Sequence, residues 1–463
     1  MEKQREYAAL TKSILHARNA SKQPLAFVRT FGCLANISDS EQIKGMLMDM
    51  GYVLTETVEE ADFAIFNTCA IREHAEDRVF GNIGALKPLK QKKPQMFIAL
   101  CGCMMQQEHI VEKIKKSYSF VDLVFGPHVL HKLPEFLYTA MNERQNRYEI
   151  SQTDGLIAEG VTRHRDSAFK AWLPIMYGCD NYCSYCIVPY VRGREKSRKF
   201  EDVMEEARAL VALGYKEITL IGQNVNSYGK NMYADIDFSK LLESINAIEG
   251  DFLIRFMTSN PRDCSPRLLD TMAACEKVAK HLHLPFQSGN NRVLKAMNRG
   301  YTRENYIELI EYAFRVMPNL SVTSDVIVGF PGESYEEFCD TLSLVKQIRF
   351  TSLYTFIYSA REGTAAATMQ DNETREEKVS RFTELTTLQE GIARDRTASM
   401  VGKTFRVLCE SENKPGSGVL TGRTQGNVII EFPAALKHIG DYVDVLVTEA
   451  KTWILKGIPV NNR

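Results

Sequence analysis

The chain has almost no net charge and contains no long apolar run. Its 57 Lys and Arg residues face 58 Asp and Glu residues, a formal net charge of −1 at pH 7, so global charge attracts it neither to nucleic acid nor to a membrane surface. No run approaches the roughly 18 apolar residues of a membrane span. Residues 1–20 lack the continuous apolar region of a signal peptide, and their acidic residues argue against a transit peptide. We therefore expect a cytoplasmic protein of roughly two to four domains, with no membrane partner.

Eleven cysteines in a chain without an export signal indicate metal or redox chemistry more often than disulfides. Three of them, Cys179, Cys183 and Cys186, have the spacing CxxxCxxC and follow the apolar run 173–177. Because a 4Fe-4S cluster normally takes four thiolates, three ligands on one loop would leave one iron open to bind a substrate. The alternatives are a zinc site, which usually has four ligands in CxxC pairs, and a disulfide.

A second group of cysteines follows predicted strands in the N-terminal third. Strands are predicted at 26–31, 61–67 and 96–100, and helices at 38–50, 72–86 and 106–116, in the alternation of a parallel α/β layer. Cys33, Cys69 and Cys103 stand at the ends of these strands. Since open α/β sheets bind ligands at the carboxyl ends of parallel strands, we expect the three thiolates to converge.

Two glycines adjoin this second group. Gly32 and Gly102 would allow the backbone to approach a cluster closely. Cys101 is an alternative ligand to Cys103, and we favour Cys103 because Cys101 still belongs to the apolar strand.

The central part of the chain predicts an incomplete barrel. Six strands alternate with helices, at 173–177, 217–221, 252–257, 280–284, 321–328 and 352–358, as in a partial (β/α)6 barrel with its site at the carboxyl ends of the strands. A charged helix at 372–400 precedes five short strands typical of a small β-barrel. The fold class is therefore α/β, divided into an N-terminal extension (1–23), a Rossmann-like domain (24–150), a linker (151–167), the partial barrel with its connector helix (168–400) and the small β-barrel (401–463).

These motifs resemble the methylthiotransferase family of radical S-adenosylmethionine (SAM) enzymes. The resemblance covers the chain from about Pro24 onward and rests on both cysteine groups. Further matching stretches are Asp39-Ser40-Glu41, Asn67-Thr68-Cys69-Ala70-Ile71-Arg72-Glu73, Gly126-Pro127 and Gly222-Gln223-Asn224-Val225-Asn226. The C-terminal β-barrel resembles the RNA-binding TRAM module that often follows this family.

The resemblance implies an activity and its cofactors. The expected reaction is methylthiolation at carbon 2 of N6-isopentenyladenosine, next to the anticodon of tRNA. Cys179, Cys183 and Cys186 would hold the 4Fe-4S cluster that generates a 5′-deoxyadenosyl radical, and Cys33, Cys69 and Cys103 an auxiliary 4Fe-4S cluster that offers sulfur. Two SAM molecules per turnover, an electron donor such as flavodoxin or ferredoxin, and a monomeric protein are also expected.

Residues at the other strand ends are candidate SAM contacts. The resemblance places SAM amino-group contacts at Gly222, Gln223 and Asn224, and contacts along the adenosine at Ser324, Asp325, Ile327 and Gly329. An ordinary strand-to-helix turn would also account for Gly329. His281 and His283 would point into the barrel, where packed, hydrogen-bonded histidines are expected. Four further cysteines are interpreted as structural, Cys264, Cys275, Cys339 and Cys409.

A basic loop follows the CxxxCxxC motif. Arg192, Arg194, Lys196 and Arg198 could grip RNA phosphates, although a solvated loop would have the same composition. Three alternative functions stay open: methylthiolation of threonylcarbamoyl-adenosine tRNA, methylthiolation of a ribosomal protein, and redox sensing by a noncatalytic iron–sulfur RNA-binding protein.

Overall fold

A computed structural model describes residues 1–18, 22–70, 73–143, 146–150 and 157–460. The chain forms two compact units. The first comprises Met1–Asp166, Met176–Asp180 and Cys186–Arg198, and the second comprises Ser167–Ile175, Asn181–Tyr185 and Lys199–Arg463. Over the described residues, no helix combines the length and the apolarity needed to cross a bilayer.

The first unit is built on a parallel sheet. Its strands are β1 (Leu25–Thr30), β2 (Val53–Leu54), β3 (Phe63–Thr68), β4 (Phe97–Gly102), β5 (Leu123–Phe125) and β6 (Arg147–Glu149), in the order β2-β1-β3-β4-β5-β6. Every neighbouring pair is parallel. The α-helices of this unit within residues 1–166 are α1 (Glu2–Arg18), α2 (Leu34–Asp49), α3 (Glu73–Ala85), α4 (Lys87–Lys92), α5 (Glu108–Ser117) and α6 (Leu133–Glu143).

Helices cover both faces of this sheet. Strand β3 is buried throughout, and its side chains alternate between two apolar cores. Phe63 and Ile65 pack in the core that includes residues of α1, α2 and α6. Phe66 packs in the other core, which includes residues of α3 and α5. This arrangement confirms the predicted α/β class, because a strand covered on both faces is apolar on both.

Helix α2 begins earlier than predicted. It starts at Leu34, with Cys33 as its N-cap residue, instead of at residue 38. Ser38, Asp39 and Ser40 therefore lie inside the helix and are buried. Their polar side chains suggested a cap, but they make tertiary contacts, such as the 2.7 Å hydrogen bond from Thr30 Oγ1 to Ser40 Oγ.

Part of the predicted linker packs on the first unit. Residues 151–156 lie outside the described residues, but the segment that follows lies across α2. His164 donates its backbone N–H to the Glu41 carbonyl at 2.9 Å, and Arg165 pairs with the buried Glu41 carboxylate at 2.7 Å. A Cβ added at Gly45 would lie 2.2 Å from the Thr162 carbonyl oxygen, so glycine permits this close approach.

The second unit contains the incomplete barrel. Its strands are β7 (Lys170–Pro174), β10 (Glu217–Ile221), β11 (Leu253–Phe256), β12 (His281–His283), β13 (Ser321–Val328) and β14 (Ser352–Ile357). They form two parallel three-stranded sheets, β11-β10-β7 and β12-β13-β14. A parallel bridge joins Ile254 in β11 to Val278, just before β12. The helices of this unit are α8 (Phe200–Ala212), α9 (Phe238–Asn246), α10 (Pro266–Ala274), α11 (Asn291–Ala296), α12 (Arg303–Val316), α13 (Tyr335–Ile348) and α14 (Arg375–Ala398).

The first predicted barrel strand is divided in the structure. Strand β7 ends at Pro174, and after Ile175 the chain forms β8 (Met176–Tyr177), which pairs antiparallel with β9 (Lys196–Ser197) in the first unit. The Ile175 N–H still donates to the Ile221 carbonyl of β10 at 2.9 Å, so the change of partner strand comes after Ile175. A short helix, α7 (Val188–Arg192), lies between β8 and β9.

The C-terminal strands form a closed barrel. They are β15 (Thr404–Glu412), β16 (Val419–Arg423), β17 (Ile429–Pro433), β18 (Tyr442–Ala450) and β19 (Ile454–Pro459), closed in the order β15-β16-β17-β19-β18. Val407, Leu420, Ile430 and Val445 are fully buried in its core. The predicted small β-barrel is thus confirmed.

Within the second unit, this β-barrel packs against the amino ends of the strands of the partial barrel. Arg255 in β11 donates to the carbonyls of Thr424 and Gln425 at 2.8 Å each. Its Nε also donates to Glu217 at 2.7 Å. Tyr442 donates its hydroxyl to the Lys216 carbonyl, immediately before β10, at 2.6 Å. The β-barrel therefore covers the end of the partial barrel opposite the carboxyl ends of the strands.

Candidate active site

The first cysteine group lies at adjacent strand ends. Cys33 follows β1, Cys69 follows β3 and Cys103 follows β4, and these strands are neighbours in the sheet. Cys69 and Cys103 are buried, and Cys33 is half-buried. A hydrogen bond from the Cys69 side chain lowers the pKa of the Cys33 thiol to about 5, although burial opposes this shift. The structure therefore brings the three predicted thiols to one sheet edge.

Both predicted glycines are required by close packing. A Cβ added at Gly32 would lie 2.6 Å from the Cys69 Cβ, and Gly32 has a φ of +131°. A Cβ at Gly102, with a φ of +97°, would lie 2.4 Å from the Thr68 carbonyl oxygen. Neither position accepts a side chain without displacing its neighbours.

A buried amide network holds the loops that carry these cysteines. Asn36 donates to Asn67 Oδ1 and to the Thr68 carbonyl, each at 3.0 Å. Asn67 donates in return to the Asn36 carbonyl at 2.8 Å and to Ser40 Oγ at 3.0 Å. Because buried amides are costly without partners, this network fixes the first helical turn after Cys33 against the end of β3.

A buried arginine contacts one sulfur of the group. Arg192 Nε donates to Cys103 Sγ at 3.0 Å, and its Nη2 pairs with Asp39 at 2.6 Å. Burial raises the pKa of Cys103 although the Arg192 charge opposes this effect. Charge-assisted bonds to sulfur favour the thiolate, so this arrangement suits a metal-bound Cys103.

Cys101 has a different environment. It lies within β4, fully buried in the apolar core beside Phe63 and Leu123. Burial, followed by the nearby Asp39 charge, raises its pKa well above the usual value. Cys103 begins the turn after the strand. The surroundings therefore favour Cys103 as the ligand.

The CxxxCxxC loop has contacts of its own in each unit. In the first unit, the Cys179 N–H donates to the Gly193 carbonyl at 3.2 Å. In the second unit, Arg299 Nη1 donates to Cys183 Sγ at 3.3 Å, and its Nη2 donates to the Pro285 carbonyl at 2.8 Å. Arg299 is buried. Each cysteine group thus has a buried arginine on one sulfur, a feature that sequence analysis missed because Arg299 lies 116 residues from Cys183.

Each group offers three cysteine thiols, the donor type that iron–sulfur clusters take. Among the described residues, no group of three or more His, Cys, Asp or Glu side chains is arranged to hold one metal ion. Buried cysteines with charge-assisted donors at sulfur are the surroundings that clusters require.

Unpaired polar atoms follow β10, where SAM contacts were predicted. Gln223 Oε1 and Asn224 Oδ1 are buried without hydrogen-bond partners, and so are both amide atoms of Asn226 and the Ser259 hydroxyl. Asn224 Nδ2 donates to Asp263 at 2.7 Å. Native structures leave few buried polar atoms unsatisfied, so a polar ligand fits this end of the barrel. Gly222 lies in the same turn.

The residues of the second predicted set of SAM contacts differ in burial and in hydrogen bonding. Ser324 is fully buried. Its hydroxyl donates to the Leu284 carbonyl and accepts from the Phe286 N–H, so it links β13 to the segment that follows β12. Asp325 and Ile327 are only partly buried. The Gly329 N–H donates to Glu333 at 2.9 Å, and burial raises the pKa of Glu333 to about 7.

The two barrel histidines share one hydroxyl. His281 Nε2 and His283 Nδ1 each lie 3.0 Å from Thr323 Oγ1, and His283 Nε2 lies 3.5 Å from Asp325. Both histidines are buried. They are hydrogen-bonded residues of the barrel interior, and their contacts show that Thr323 and Asp325 face that interior.

The basic loop is largely engaged by carboxylates. Arg192 and Arg198 are buried, and each pairs with an acidic side chain, Arg198 with Glu159 at 2.7 Å. Arg194 is 64% exposed and pairs with Asp180 at 2.8 Å. Of the four predicted phosphate contacts, Arg192 and Arg198 therefore face protein, Arg194 is exposed and Lys196 is partly buried. Within the first unit an open cleft of about 640 Å³ is lined by Asp39, Gln42, Pro127, His128, Leu130, His131, Ile157, Ala158, Tyr177, Arg192, Arg194 and Lys196.

Comparisons with known proteins agree with this architecture. The model of the Radical SAM superfamily matches residues 173–345, that of Uncharacterized protein family UPF0004 matches residues 26–126, and that of the TRAM domain matches residues 398–460. The chain is therefore a radical SAM protein with a C-terminal TRAM domain.

Proteins of similar sequence identify the family within this class. The chain is 49% identical to the tRNA-2-methylthio-N(6)-dimethylallyladenosine synthase of Acetivibrio thermocellus, over 94% of this chain and 91% of the relative. It is 45% identical to the enzyme of the same name from Clostridioides difficile, over 95% of this chain and 92% of the relative. The chain belongs to the family of tRNA-2-methylthio-N(6)-dimethylallyladenosine synthases, which are radical SAM enzymes.

Solved structures share the fold. The radical S-adenosylmethionine methyltransferase TsrM from Kitasatospora setae, solved with cobalamin and a [4Fe-4S] cluster bound, superposes with a TM-score of 0.54 at 13% identity. The match covers 75% of this chain and 74% of TsrM.

Proposed function

We propose that this chain transfers a methylthio group to carbon 2 of N6-isopentenyladenosine, next to the anticodon of tRNA. The observation that carries the proposal is the pair of cysteine groups, each with a buried arginine donating to one sulfur. In a member of this family, two such groups fit two 4Fe-4S clusters, each with one iron that lacks a protein ligand. Two SAM molecules would be used per turnover.

Cys179, Cys183 and Cys186 would hold the cluster that binds SAM, and Cys33, Cys69 and Cys103 the auxiliary cluster. When bound, these groups would supply a radical that removes hydrogen from carbon 2 and a sulfur that replaces it, with the methyl group of the product coming from the second SAM. The aromatic C–H is not acidic enough for a side-chain base, so no residue of the chain is assigned that role.

The residues around the cysteines would bind and orient. Arg192 and Arg299 each donate to a ligand sulfur, which stabilises the thiolate form and restricts the sulfur's position. Gln223 and Asn224 would use their unpaired oxygens to accept from the SAM amino group, with Gly222 allowing the turn. Asp325, Ile327 and the Gly329 backbone would line the adenosine, and Ser324 would hold β13 against the end of β12.

RNA would be bound by few basic side chains of the loop. Arg194 and Lys196 would contact phosphates, whereas Arg192 and Arg198 would act by positioning the loop through Asp39 and Glu159. The TRAM domain would add RNA contacts. Flavodoxin or ferredoxin would supply electrons to a monomeric cytoplasmic enzyme.

The proposal is tested by iron and labile sulfide content after anaerobic reconstitution. The full chain should hold about twice the iron of a Cys33/Cys69/Cys103 triple alanine variant or of a Cys179/Cys183/Cys186 one. A Cys264/Cys275/Cys339 triple alanine variant, matched in the number of cysteines removed, should retain the full content.

Activity completes the test. The reduced wild type should methylthiolate isopentenylated tRNA and cleave SAM to 5′-deoxyadenosine. Full iron content in the Cys33/Cys69/Cys103 variant would refute the auxiliary cluster. SAM cleavage with activity only on threonylcarbamoyl-adenosine tRNA or a ribosomal protein would refute the substrate, and no SAM cleavage would favour a redox sensor.

A further inference from the structure

Strand β14 carries an aromatic stripe on one face. Tyr354, Phe356 and Tyr358 alternate with Thr355 and Ile357 from β14 to just beyond its end, so their side chains project to the same side. Tyr354 is 45% exposed and Phe356 is 46% exposed. Adjacent large apolar side chains left open to solvent mark binding surfaces more often than isolated ones do.

The register shows which side the stripe faces. Tyr354 is the parallel partner of Asp325, and Phe356 is the partner of Ile327. Since partners in neighbouring strands project to the same face of a sheet, the stripe shares the barrel interior with Asp325. The ring of Tyr354 stands edge-on to that of His283, with centroids 5.7 Å apart. The exposed rings therefore line the interior at the last strand of the sheet β12-β13-β14.

The third residue of the stripe, Tyr358, has a hydroxyl group without a hydrogen-bond partner. The Tyr358 hydroxyl is buried without a partner, and the ring packs against Phe330, as part of an apolar cluster that Ile327 also adjoins. A buried hydroxyl without a partner is destabilising, so a ligand with a polar edge would relieve this cost. The stripe thus combines two open rings, an apolar neighbour and one unsatisfied hydroxyl.

We propose that Tyr354 and Phe356 form the stacking surface for the isopentenylated base of the RNA substrate, with Tyr358 donating to its polar edge. This inference rests on the proposed function. Aromatic rings stack on any base, and the aliphatic isopentenyl group needs an apolar wall, which Phe356 supplies. A base splayed out of a single-stranded loop can reach a strand at the edge of an incomplete barrel. The unpaired amides after β10 are better suited to the charged end of SAM.

The test compares binding of two RNAs by the full, reconstituted chain. One is an anticodon stem-loop that contains isopentenyladenosine, and the other has adenosine at that position. Tyr354→Ala and Phe356→Ala should each weaken binding of the isopentenylated RNA about tenfold, in line with the loss of one stacked base. Binding of the adenosine RNA should fall less in Phe356→Ala, so that discrimination between the RNAs decreases. Phe356→Leu, which keeps the apolar wall, should restore discrimination.

A control variant separates base stacking from a general loss of aromatic surface. Tyr335→Ala removes an aromatic ring that is 50% exposed on α13 and should leave both RNA affinities unchanged. Unchanged RNA affinity in Tyr354→Ala and Phe356→Ala would overturn the inference, and so would a loss of SAM affinity with RNA affinity intact. If the wild type does not methylthiolate the isopentenylated stem-loop, the proposed function fails. If it does while the variants keep full discrimination, only this inference fails.

Discussion

Replacing Asp39 by Asn would leave the Arg192 guanidinium charged and buried without a carboxylate. The two side chains pair at 2.6 Å, with Arg192 only 6% and Asp39 only 11% exposed. Removing one partner of a buried ion pair typically costs about 3–5 kcal/mol, because the other charge remains desolvated. The contact from Arg192 to Cys103 does not compensate when that thiol is neutral. We therefore expect Asp39→Asn to destabilise the first unit of the apoprotein by about 3–5 kcal/mol.

The assay must report on the first unit alone. The chain has two tryptophans, Trp172 and Trp453, and both belong to the second unit, so their fluorescence does not follow this perturbation. Hydrogen exchange of peptides from β3 and β4, read by mass spectrometry, measures the local opening free energy. Lys44→Ala is the matched control. It breaks a pair with Asp166 whose side chains are 19% and 43% exposed, for which about 0–1 kcal/mol is expected.

Combining the change with Arg192→Met tests the electrostatic reason directly. The double variant removes both charges, so its cost should be smaller than the sum of the two single costs. A loss below about 1 kcal/mol for Asp39→Asn, indistinguishable from the surface control, would refute the argument that a buried ion pair holds the loop beside Cys103.

Two further predictions concern the second unit. Arg255→Met removes two hydrogen bonds to carbonyls of the TRAM domain and the 2.7 Å ion pair with Glu217. We therefore expect the free energy of unfolding to fall by about 3–5 kcal/mol, as measured by urea unfolding with tryptophan fluorescence. An unchanged urea midpoint would contradict the docking of the TRAM domain on β10 and β11. Burial raises the pKa of Glu333 from 4.5 to about 7 in the folded chain, so the folded state binds more protons between these values and stability falls as pH rises through that window. Glu333→Gln should remove this fall, so the stability of the variant relative to wild type should rise by about 3 kcal/mol between pH 4.5 and pH 8. If the difference in stability between the two proteins does not change with pH, this prediction is refuted.

The cysteine positions could be predicted because they depend on local features. Cys33, Cys69 and Cys103 each follow an apolar strand, and parallel strands end at a common edge, so chain order was enough to bring them together. The start of α2 was predicted wrongly because Ser38 and Ser40 have the composition of a cap, while their actual partners lie on other elements.

The charged contacts could not be predicted, because their partners are distant in sequence. Asp39 lies 153 residues from Arg192, and nothing local distinguishes a buried arginine from a solvated one in the basic loop. The same holds for Arg299 and Cys183. The aromatic stripe of β14 is visible in the sequence, but alternation alone does not show which face of a strand remains open.

The docking of the TRAM domain bears on how modular this protein is. A boundary near residue 400 divides two recognisable sequence families, yet Arg255, which also pairs with Glu217 on its own side, donates to backbone carbonyls on the other side. Deleting the domain would remove both carbonyl acceptors of Arg255 at the amino end of β11 and uncover that end of the partial barrel. Loss of activity in a truncated enzyme would therefore not by itself show that the domain recognises RNA. The domain is better regarded as part of the scaffold that supports β10 and β11.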